Sequence, residues 1–308
     1  MADTMVSIQL SVENTGRRDV MLTTMKPFLK RFAGSIPGLN QFVFMKGVLR
    51  GHFYSPVPSL DEVRRHRKEI FDDWPRTLPG IDLRESEQLK LMEVFAREYY
   101  AEQPFSGDFL NNGAFCHSDA ITLYCMLRHS RPKRLIEVGS GYSSQVTMET
   151  NRLFLKNAVD CLFIEPFPSS TLKSVAGAAI LEKRIQDVPL ETFSVLNADD
   201  ILFIDSTHVS KVGSDVNHIF FRILPMLRSG VRVHFHDVFY PFEYPESWIQ
   251  EGKAWNEDYL LRAFLQFNRD FEIEVFPNYL IHFNREFFQK RMPLCLEDPG
   301  GSIWLRRK

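Results

Sequence analysis

The sequence has little of what marks membrane, secreted or zinc-thiolate proteins. Its 308 residues include only four cysteines, at positions 116, 125, 161 and 295, and no C-x-x-C pair. This usage indicates reduced core residues rather than a disulfide framework. No apolar run approaches the ~20 residues that a membrane-spanning helix needs. The first residues also lack the basic-then-apolar pattern of a signal peptide, so we expect a cytoplasmic protein without a transmembrane segment.

Neither sign of charge dominates. The 37 Lys and Arg are balanced by 39 Asp and Glu, which gives a formal net charge of −2, so we expect no nucleic-acid partner. The basic region, which we define as residues 26–68, is a local exception with nine Lys or Arg against two acids, interleaved with Phe and Leu. It predicts either weak contact with a membrane surface or an acidic partner, or an accessory helical layer whose cations face water.

The most informative stretch is RLIEVGSGYSSQVTMETN, residues 134–151. A short apolar run at 134–138 predicts a strand, Gly139-Ser140-Gly141 predicts a sharp turn, and the polar continuation predicts a helix. Two glycines let a ligand approach the main chain, and the helix start offers free N–H groups to an anionic or carboxylate group. No lysine follows Gly141, which excludes a P-loop, and Ser144 stands where a dinucleotide fingerprint has its third glycine.

Several later apolar runs also end on or beside an acidic residue. These are 161–164 before Glu165, 200–205 ending in Asp205, and 231–237 ending in Asp237, and the more polar residues 183–187 are interpreted as a further strand that ends in Asp187. Parallel strands bring their carboxyl ends to one edge of a sheet, where open α/β sheets bind ligands. A carboxylate at the second strand, Glu165, can accept two hydrogen bonds from a ribose diol. Asp187 either lies near an adenine amine or is a solvated loop residue.

The glycine turn resembles motif I of the class I S-adenosylmethionine-dependent methyltransferases, where an acid two residues before the first glycine lies near the methionine amino group. The resemblance implies S-adenosyl-L-methionine as cofactor. It also implies an α/β, Rossmann-like sheet of seven strands with a late antiparallel hairpin at 111–308, after a mainly helical extension at 1–110. The cofactor-binding residues that we predict are Glu137, Gly139, Ser140, Gly141, Ser143, Ser144, Glu165, Asp187 and Asp205.

Catalytic chemistry is expected beside the ends of the fourth and fifth strands. Asp205 and Asp237 resemble in position the metal-ligand acids of catechol O-methyltransferase and of the macrocin O-methyltransferase group, which implies a divalent metal such as Mg²⁺. This chain has Val238 where the first has asparagine, and His236 where the second has a carboxylate, which favours a softer metal or none. Without a metal, a neutral imidazole can take the acceptor's proton. His208 is then the first choice as base or else a partner of Asp205, and the predicted catalytic set is His208, His236 and Asp237.

Other segments predict the elements around this site. Helices are expected from Ser59 through Phe71, at 85–99, at 120–127 and after Asn256, and the last strands at 271–276, 279–283 and 302–306. Asp119 is expected to cap the third of these helices, although it and His117 alternatively contact the cofactor. The aromatic loop, which we define as residues 239–245, either lines an acceptor pocket or forms a structural lid.

These observations predict an S-adenosylmethionine-dependent methyltransferase, of type EC 2.1.1, acting on an oxygen of a sugar or another small, natural-product-like polar acceptor. Two alternatives remain open. An NAD-dependent oxidoreductase would hold a pyrophosphate at the glycine turn, and a non-catalytic module would keep the cofactor pocket as a scaffold.

Overall fold

The computed structural model describes residues 51–173, 175 and 177–308. The chain divides into a unit that ends at Leu60 and a unit from Asp61 to Lys308. In the described part of the first unit, the Gly51 N–H donates to the Val57 carbonyl at 3.1 Å. Most of the basic region lies outside the described residues. The domain boundary near residue 110 stays a prediction.

A seven-stranded sheet forms the centre of the second unit. Its strands are β1 Arg134–Val138, β2 Asp160–Ile164, β3 Ala179–Leu181, β4 Ile201–Ile204, β5 Arg232–His236, β6 Phe271–Val275 and β7 Ser302–Arg307. They lie in the order β3-β2-β1-β4-β5-β7-β6. Strands β1 to β5 pair in parallel, and β7 runs antiparallel to both β5 and β6. The seven-stranded sheet with a late antiparallel pair is therefore confirmed.

Helices accompany the sheet along the second unit. Their bounds are α1 Leu60–Arg65, α2 Arg67–Phe71, α3 Glu85–Glu98, α4 His117–Ser130, α5 Tyr142–Phe154, α6 Ser170–Lys173, α7 Glu191–Ser194, α8 Asp215–His218, α9 Glu246–Glu251, α10 Glu257–Leu265, α11 Pro277–Phe283 and α12 Arg285–Arg291. Within the described ranges, no helix is both long and apolar enough to span a bilayer.

The burial of the strands explains their positions. Strands β4 and β5 are buried along their whole length, as expected for central parallel strands covered on both faces. Strand β6 alternates buried and half-buried residues, which fits its place at the edge. Helix α4 is buried at ten successive positions and packs against α5, so the helix that precedes β1 is a core element.

Two of the predicted strands are wrong. Residues 185–187 form a 3-10 helix, and the third strand lies earlier, at Ala179–Leu181, because the intervening charged residues 182–184 are exposed. The segment 279–283 belongs to helix α11. Pro277 begins that helix, where its fixed φ angle favours helical geometry and its missing N–H loses no bond.

The predicted cap at Asp119 is also wrong. Helix α4 begins two residues earlier, at His117, and Asp119 is buried inside it. Its carboxylate accepts hydrogen bonds from the Gly301 N–H at 3.0 Å and from the Ser302 hydroxyl at 2.5 Å. The side chain therefore ties α4 to the start of β7, which sequence spacing cannot indicate because the two lie more than 180 residues apart.

The glycine turn after β1 is held from within the protein. Gly139 has a φ of +76°, and a Cβ atom there would lie 1.6 Å from the Asp205 carbonyl oxygen. Below the turn, the fully buried Glu137 accepts hydrogen bonds from the Ser143 and Ser144 hydroxyls, both at 2.7 Å. The Ser144 hydroxyl also accepts from the Gly141 N–H at 3.1 Å. These bonds connect the end of β1 to the first turn of α5.

Glu137 should make the stability of the fold depend on pH. Burial raises the pKa of its carboxyl from 4.5 to about 8, although the two serine hydroxyls oppose the rise. The folded state thus holds the proton more tightly, and this contribution to the free energy of unfolding is complete below about pH 4.5 and is lost as pH rises to 8. We expect Glu137→Gln, compared with the unaltered chain, to gain stability across that window, by no more than about 1.4 kcal/mol per pH unit.

Chemical denaturation at a series of pH values measures this difference. Glu149→Gln is the matched control, since Glu149 lies on α5, the helix whose first turn bonds to Glu137, and its pKa is lowered by Arg152. A difference between Glu137→Gln and the unaltered chain that stays constant from pH 5 to 8 would contradict the assignment.

Candidate functional site

Two adjoining cavities open at the carboxyl edge of the sheet, one on each side of the glycine turn. The first has a volume of about 390 Å³ and the second about 520 Å³. Both are lined by Gly139, Glu165, Asp205, Ser206 and Thr207. The ends of β1, β2 and β4 therefore meet in one cleft, as the strand-end acids predict.

Glu165 occupies the end of β2 with its carboxylate fixed by main-chain donors. One oxygen accepts from the Phe167 N–H at 2.8 Å and the other from the Ser140 N–H at 3.3 Å. The carboxylate lines both cavities. Phe167, which lines the first cavity, keeps 87% of its surface exposed. A carboxylate held in this way can still accept from a diol, which fits the ribose role predicted for it.

The glycine turn leaves space for a ligand at its second glycine. A Cβ atom on Gly141 would meet no atom within 4 Å, in contrast to Gly139. Ser140, Gly141 and Ser143 line the second cavity, and the N-terminus of the 13-residue helix α5 follows directly. The arrangement fits a nucleoside with an amino-acid tail lying across the turn, with main-chain N–H groups facing its polar atoms.

Three of the predicted cofactor contacts are placed differently. Glu137 and Ser144 are fully buried under the turn and bond to each other, and neither lines a cavity. Asp187 is exposed, and its carboxylate makes two hydrogen bonds with the Arg184 guanidinium, both at 2.9 Å. The structure therefore supports the solvated-loop interpretation of Asp187, while Glu137 and Ser144 hold the turn in place.

The second cavity contains the ends of β4 and β5 and a cluster of three possible metal ligands. The His208 Nε2 atom lies 3.3 Å from Asp205 Oδ1 and 3.3 Å from Asp237 Oδ2. Ligand atoms from these three residues all lie within 4.8 Å of one another. We call Asp205, His208 and Asp237 the triad. His208 and Asp237 both have positive φ angles, 57° and 56°, which non-glycine residues seldom adopt.

A buried carboxylate orients the imidazole of the triad. The His208 Nδ1 atom lies 2.9 Å from Glu257 Oε2, and Glu257 is 1% exposed. Trp255 packs on the imidazole with ring centroids 4.5 Å apart. Burial opposes charge on the ring, but the hydrogen bonds that the ring donates to Asp205 and Glu257, and the charges of Glu257 and Asp237, raise the His208 pKa to about 10. An imidazole that already holds its proton does not suit the role of general base that the sequence predicts.

His236 has a similar environment. Its Nε2–H donates to the Ala114 carbonyl at 3.0 Å, and the same atom lies 3.7 Å from Asp237 Oδ1. Burial favours the neutral ring, yet the charges of Asp205, Asp237 and Asp119 raise its pKa to about 9. Its Nε2 atom is committed to a carbonyl, so His236 adds positive charge beside the triad.

The two aspartates of the triad differ. Burial opposes ionisation of Asp205, but the charges of His236 and His208 hold its pKa below 3.8. Burial raises the pKa of Asp237, and the same histidines offset this only in part. Asp237 is therefore the more readily protonated of the pair.

The segment after the aromatic loop lines another part of the second cavity. Trp248, Lys253 and Trp255 line the second cavity. Tyr240 and Tyr244 are instead buried, and their hydroxyls bond to the Pro75 carbonyl and the Asp258 N–H. The aromatic loop is thus a packed structural element, which favours the lid interpretation over a pocket lining.

Sequence reasoning missed Glu257, Trp248, Lys253 and Trp255. Glu257 has the position of an ordinary acid in the first turn of α10, where it complements the helix dipole. Only the return of the chain past the aromatic loop brings it to His208, 49 residues away. The paired tryptophans at 248 and 255 were the available signal for this part of the cavity.

Parts of the chain are similar to known proteins. Residues 136–238 match a family model described as a methyltransferase domain. An uncharacterized protein from Archaeoglobus fulgidus is 35% identical over 164 residues, which span 49% of this chain and 74% of that protein. The S-adenosylhomocysteine-bound methyltransferase PaMTH1 of Podospora anserina is 14% identical with a TM-score of 0.41, over 80% of this chain and 94% of its own. Coclaurine N-methyltransferase, bound to N-methylheliamine and S-adenosylhomocysteine, is 10% identical with a TM-score of 0.31, over 81% and 89%.

The methyltransferase-domain match runs from within β1 to just beyond β5. It therefore contains the glycine turn, Glu165 and all three residues of the triad. Since the segment that matches is also the one that builds the cleft, the chain contains a methyltransferase domain.

Proposed function

We propose that the protein methylates an oxygen of a sugar or another small polar acceptor, with a divalent cation held by the triad. The observation that carries the proposal is the position of the triad. Asp205, His208 and Asp237 converge in the same cavity that the glycine turn and Glu165 line. A cofactor lying across the turn would therefore have its reactive end beside these ligands.

The chain supplies the contacts that S-adenosylmethionine requires. Glu165 stands where a ribose diol can donate to it, and the open side of Gly141 lets a ligand lie against the main chain. When bound, the cofactor supplies a methyl group on a positively charged sulfur. Asp205 and Glu165 bring negative charge to the lining of the second cavity, which favours binding of a positively charged ligand there.

The donor set of the triad fits a divalent cation. Two carboxylate oxygens and one imidazole nitrogen are ligands that Mn²⁺ accepts readily, and Mg²⁺ takes carboxylates with water. A single Nε2–H cannot bond well to two carboxylates at once, whereas a cation between the three atoms would be attracted by all of them. Glu257 on Nδ1 matches the carboxylate that usually orients a metal-bound histidine.

The residues around the triad favour oxygen as the acceptor atom. A cation held there would polarise a hydroxyl and lower its pKa. The hydroxyl proton leaves as its oxygen forms the bond to carbon and the sulfur–carbon bond breaks. Asp237, whose pKa is raised and whose side chain is 18% exposed, is the group placed to take that proton. His208, whose Nε2 would bind the cation, and His236, whose Nε2–H donates to the Ala114 carbonyl, are then not the bases.

The two alternatives receive less support. A pyrophosphate at the glycine turn would meet Glu165 and Asp205 in both cavities, and like charges repel. A scaffold without catalysis would not need three possible metal ligands that converge in the cavity. Calorimetry with S-adenosylhomocysteine and with NAD separates these cases. Binding of NAD without S-adenosylhomocysteine would overturn the proposal.

Replacing Gly141 by valine should remove cofactor binding without disturbing the fold. The Cβ atom of the new side chain would meet no protein atom within 4 Å, so the free energy of unfolding should change by less than about 0.5 kcal/mol. The valine side chain fills the volume that the nucleoside needs, so we expect the affinity for S-adenosylhomocysteine, measured by calorimetry, to fall at least about tenfold.

Gly139→Ala is the contrasting variant. Its Cβ atom would overlap the Asp205 carbonyl, so it should lower the melting temperature of the protein itself. Unchanged affinity in Gly141→Val would show that the cofactor does not lie against this turn.

If the triad binds a metal, variants of a ligand and of the residue behind it should lose Mn²⁺ binding to different degrees. After chelation and reloading, electron paramagnetic resonance should detect Mn²⁺ bound to the unaltered chain and none bound to Asp237→Asn. Glu257→Gln should weaken Mn²⁺ affinity by about 10–100-fold, because Glu257 orients His208. S-adenosylhomocysteine affinity should stay within a few fold in the Glu257 variant.

Asp187→Asn is the matched control, since this exposed acid pairs with Arg184 and lines neither cavity. Equal Mn²⁺ binding by Asp237→Asn and the unaltered chain would refute the site. Full methyl transfer after exhaustive chelation would show that the reaction needs no metal and that protein side chains alone assist it.

A further inference from the structure

We propose that the acceptor is a hydroxylated ring that carries an anionic group, a carboxylate or a phosphate, and that Lys253 binds this group while Trp248 packs against the ring. The inference rests on the proposed function, because it assumes that the acceptor hydroxyl lies at the triad. It concerns the part of the second cavity that Trp248, Lys253 and Trp255 line.

The position of Lys253 is set by the end of helix α9. Gly252 takes a left-handed conformation with a φ of +85°, and the Lys253 N–H donates back to the Trp248 carbonyl at 3.0 Å. This helix ending returns the chain toward the preceding turn. The Lys253 ammonium comes to lie 3.8 Å from the Trp248 ring centroid and 5.2 Å from that of Trp255.

Lys253 is the only lysine or arginine among the described residues that line this cavity. Its recorded ion pair is with Glu251 at 3.6 Å, and the Glu251 side chain is 60% exposed. No ion pair joins it to Asp205, Asp237 or Glu165 within the described ranges. The ammonium is therefore available to an anion, and a charge-assisted hydrogen bond there would be stronger than a neutral one.

The Lys253 ammonium and the triad lie against the same indole ring. Trp255 contacts both, since it packs on His208 at 4.5 Å and lies under the Lys253 ammonium. One indole thus contacts both the anion site and the triad, where the reacting hydroxyl would lie, and a small ring can span such neighbouring positions. A ring that carries both groups would lie along this part of the cavity, where tryptophan faces pack well on sugar or aromatic carbons.

The charge of the cavity explains the need for a separate anion site. Three acids, Asp205, Asp237 and Glu165, line the same cavity. An anionic acceptor that entered without guidance would be repelled by them, unless its charge were held by Lys253. Lys253 thus sets both the orientation of the acceptor and the choice between acceptors.

Paired probes test the anion requirement in protein saturated with S-adenosylhomocysteine and Mn²⁺. Calorimetry compares gallate with pyrogallol, glucuronate with glucose, and ribose phosphate with ribose. We expect at least one anionic member to bind at least about tenfold more tightly than its neutral partner. Whether a carboxylate or a phosphate gives the larger difference identifies the anionic group.

Variants of Lys253 test whether this residue causes the preference for anionic probes. Lys253→Met should abolish the difference within the responsive pair and leave S-adenosylhomocysteine affinity unchanged, while Lys253→Arg should keep most of the difference. Lys211→Met is the matched control, because Lys211 lines the first cavity. Thermal melting checks that each variant is folded.

The possible failures are distinct. If S-adenosylhomocysteine does not bind to the unaltered chain, the proposed function fails. If it binds but no anionic probe is preferred, or none of the probes binds, the anion inference is overturned alone. A Lys253→Met variant that loses S-adenosylhomocysteine affinity instead would assign the lysine to the cofactor carboxylate.

Discussion

The site depends on two main-chain hydrogen bonds at the end of β1. The Gly139 N–H donates to the Ile164 carbonyl at 3.0 Å, and the Asp205 N–H donates to the Val138 carbonyl at 2.8 Å. These bonds extend the parallel pairing by one residue past each strand, so Glu165 and Asp205 lie on either side of the glycine turn. The approach of the chains is close enough that only glycine fits at position 139.

Much of the fold was predictable because its strands are continuous apolar runs. Strands β1, β2, β4, β5 and β7 lie where the sequence predicts them, since buried parallel strands need no alternation to be recognised. The predictions for β3 and helix α11 were wrong. A strand of three residues leaves little signal in the sequence, and Tyr279-Leu280-Ile281 is apolar enough for a strand or a buried helix. Burial of Asp119 depended on a distant segment and left no local pattern.

The candidate site was also predictable only in part. Asp205, His208 and Asp237 were foreseeable as neighbours, because they follow adjacent parallel strands. Their environment was not. The two carboxylates beside His208, and Glu257 behind it, change the imidazole from a candidate base into a charged partner or a metal ligand. Such a reversal depends on how many acids surround one ring, which spacing along a chain does not report.

The left-handed backbone at His208 and Asp237 also concerns protein engineering. Residues held in this conformation commonly destabilise a fold by about 1 kcal/mol or more, and the surrounding packing must compensate. Glycine at either position would relax the main chain and delete the ligand at the same time. Selection for thermal stability alone would thus favour variants at these two positions that are more stable but inactive. A library that is screened only for thermal stability should therefore leave both positions unchanged.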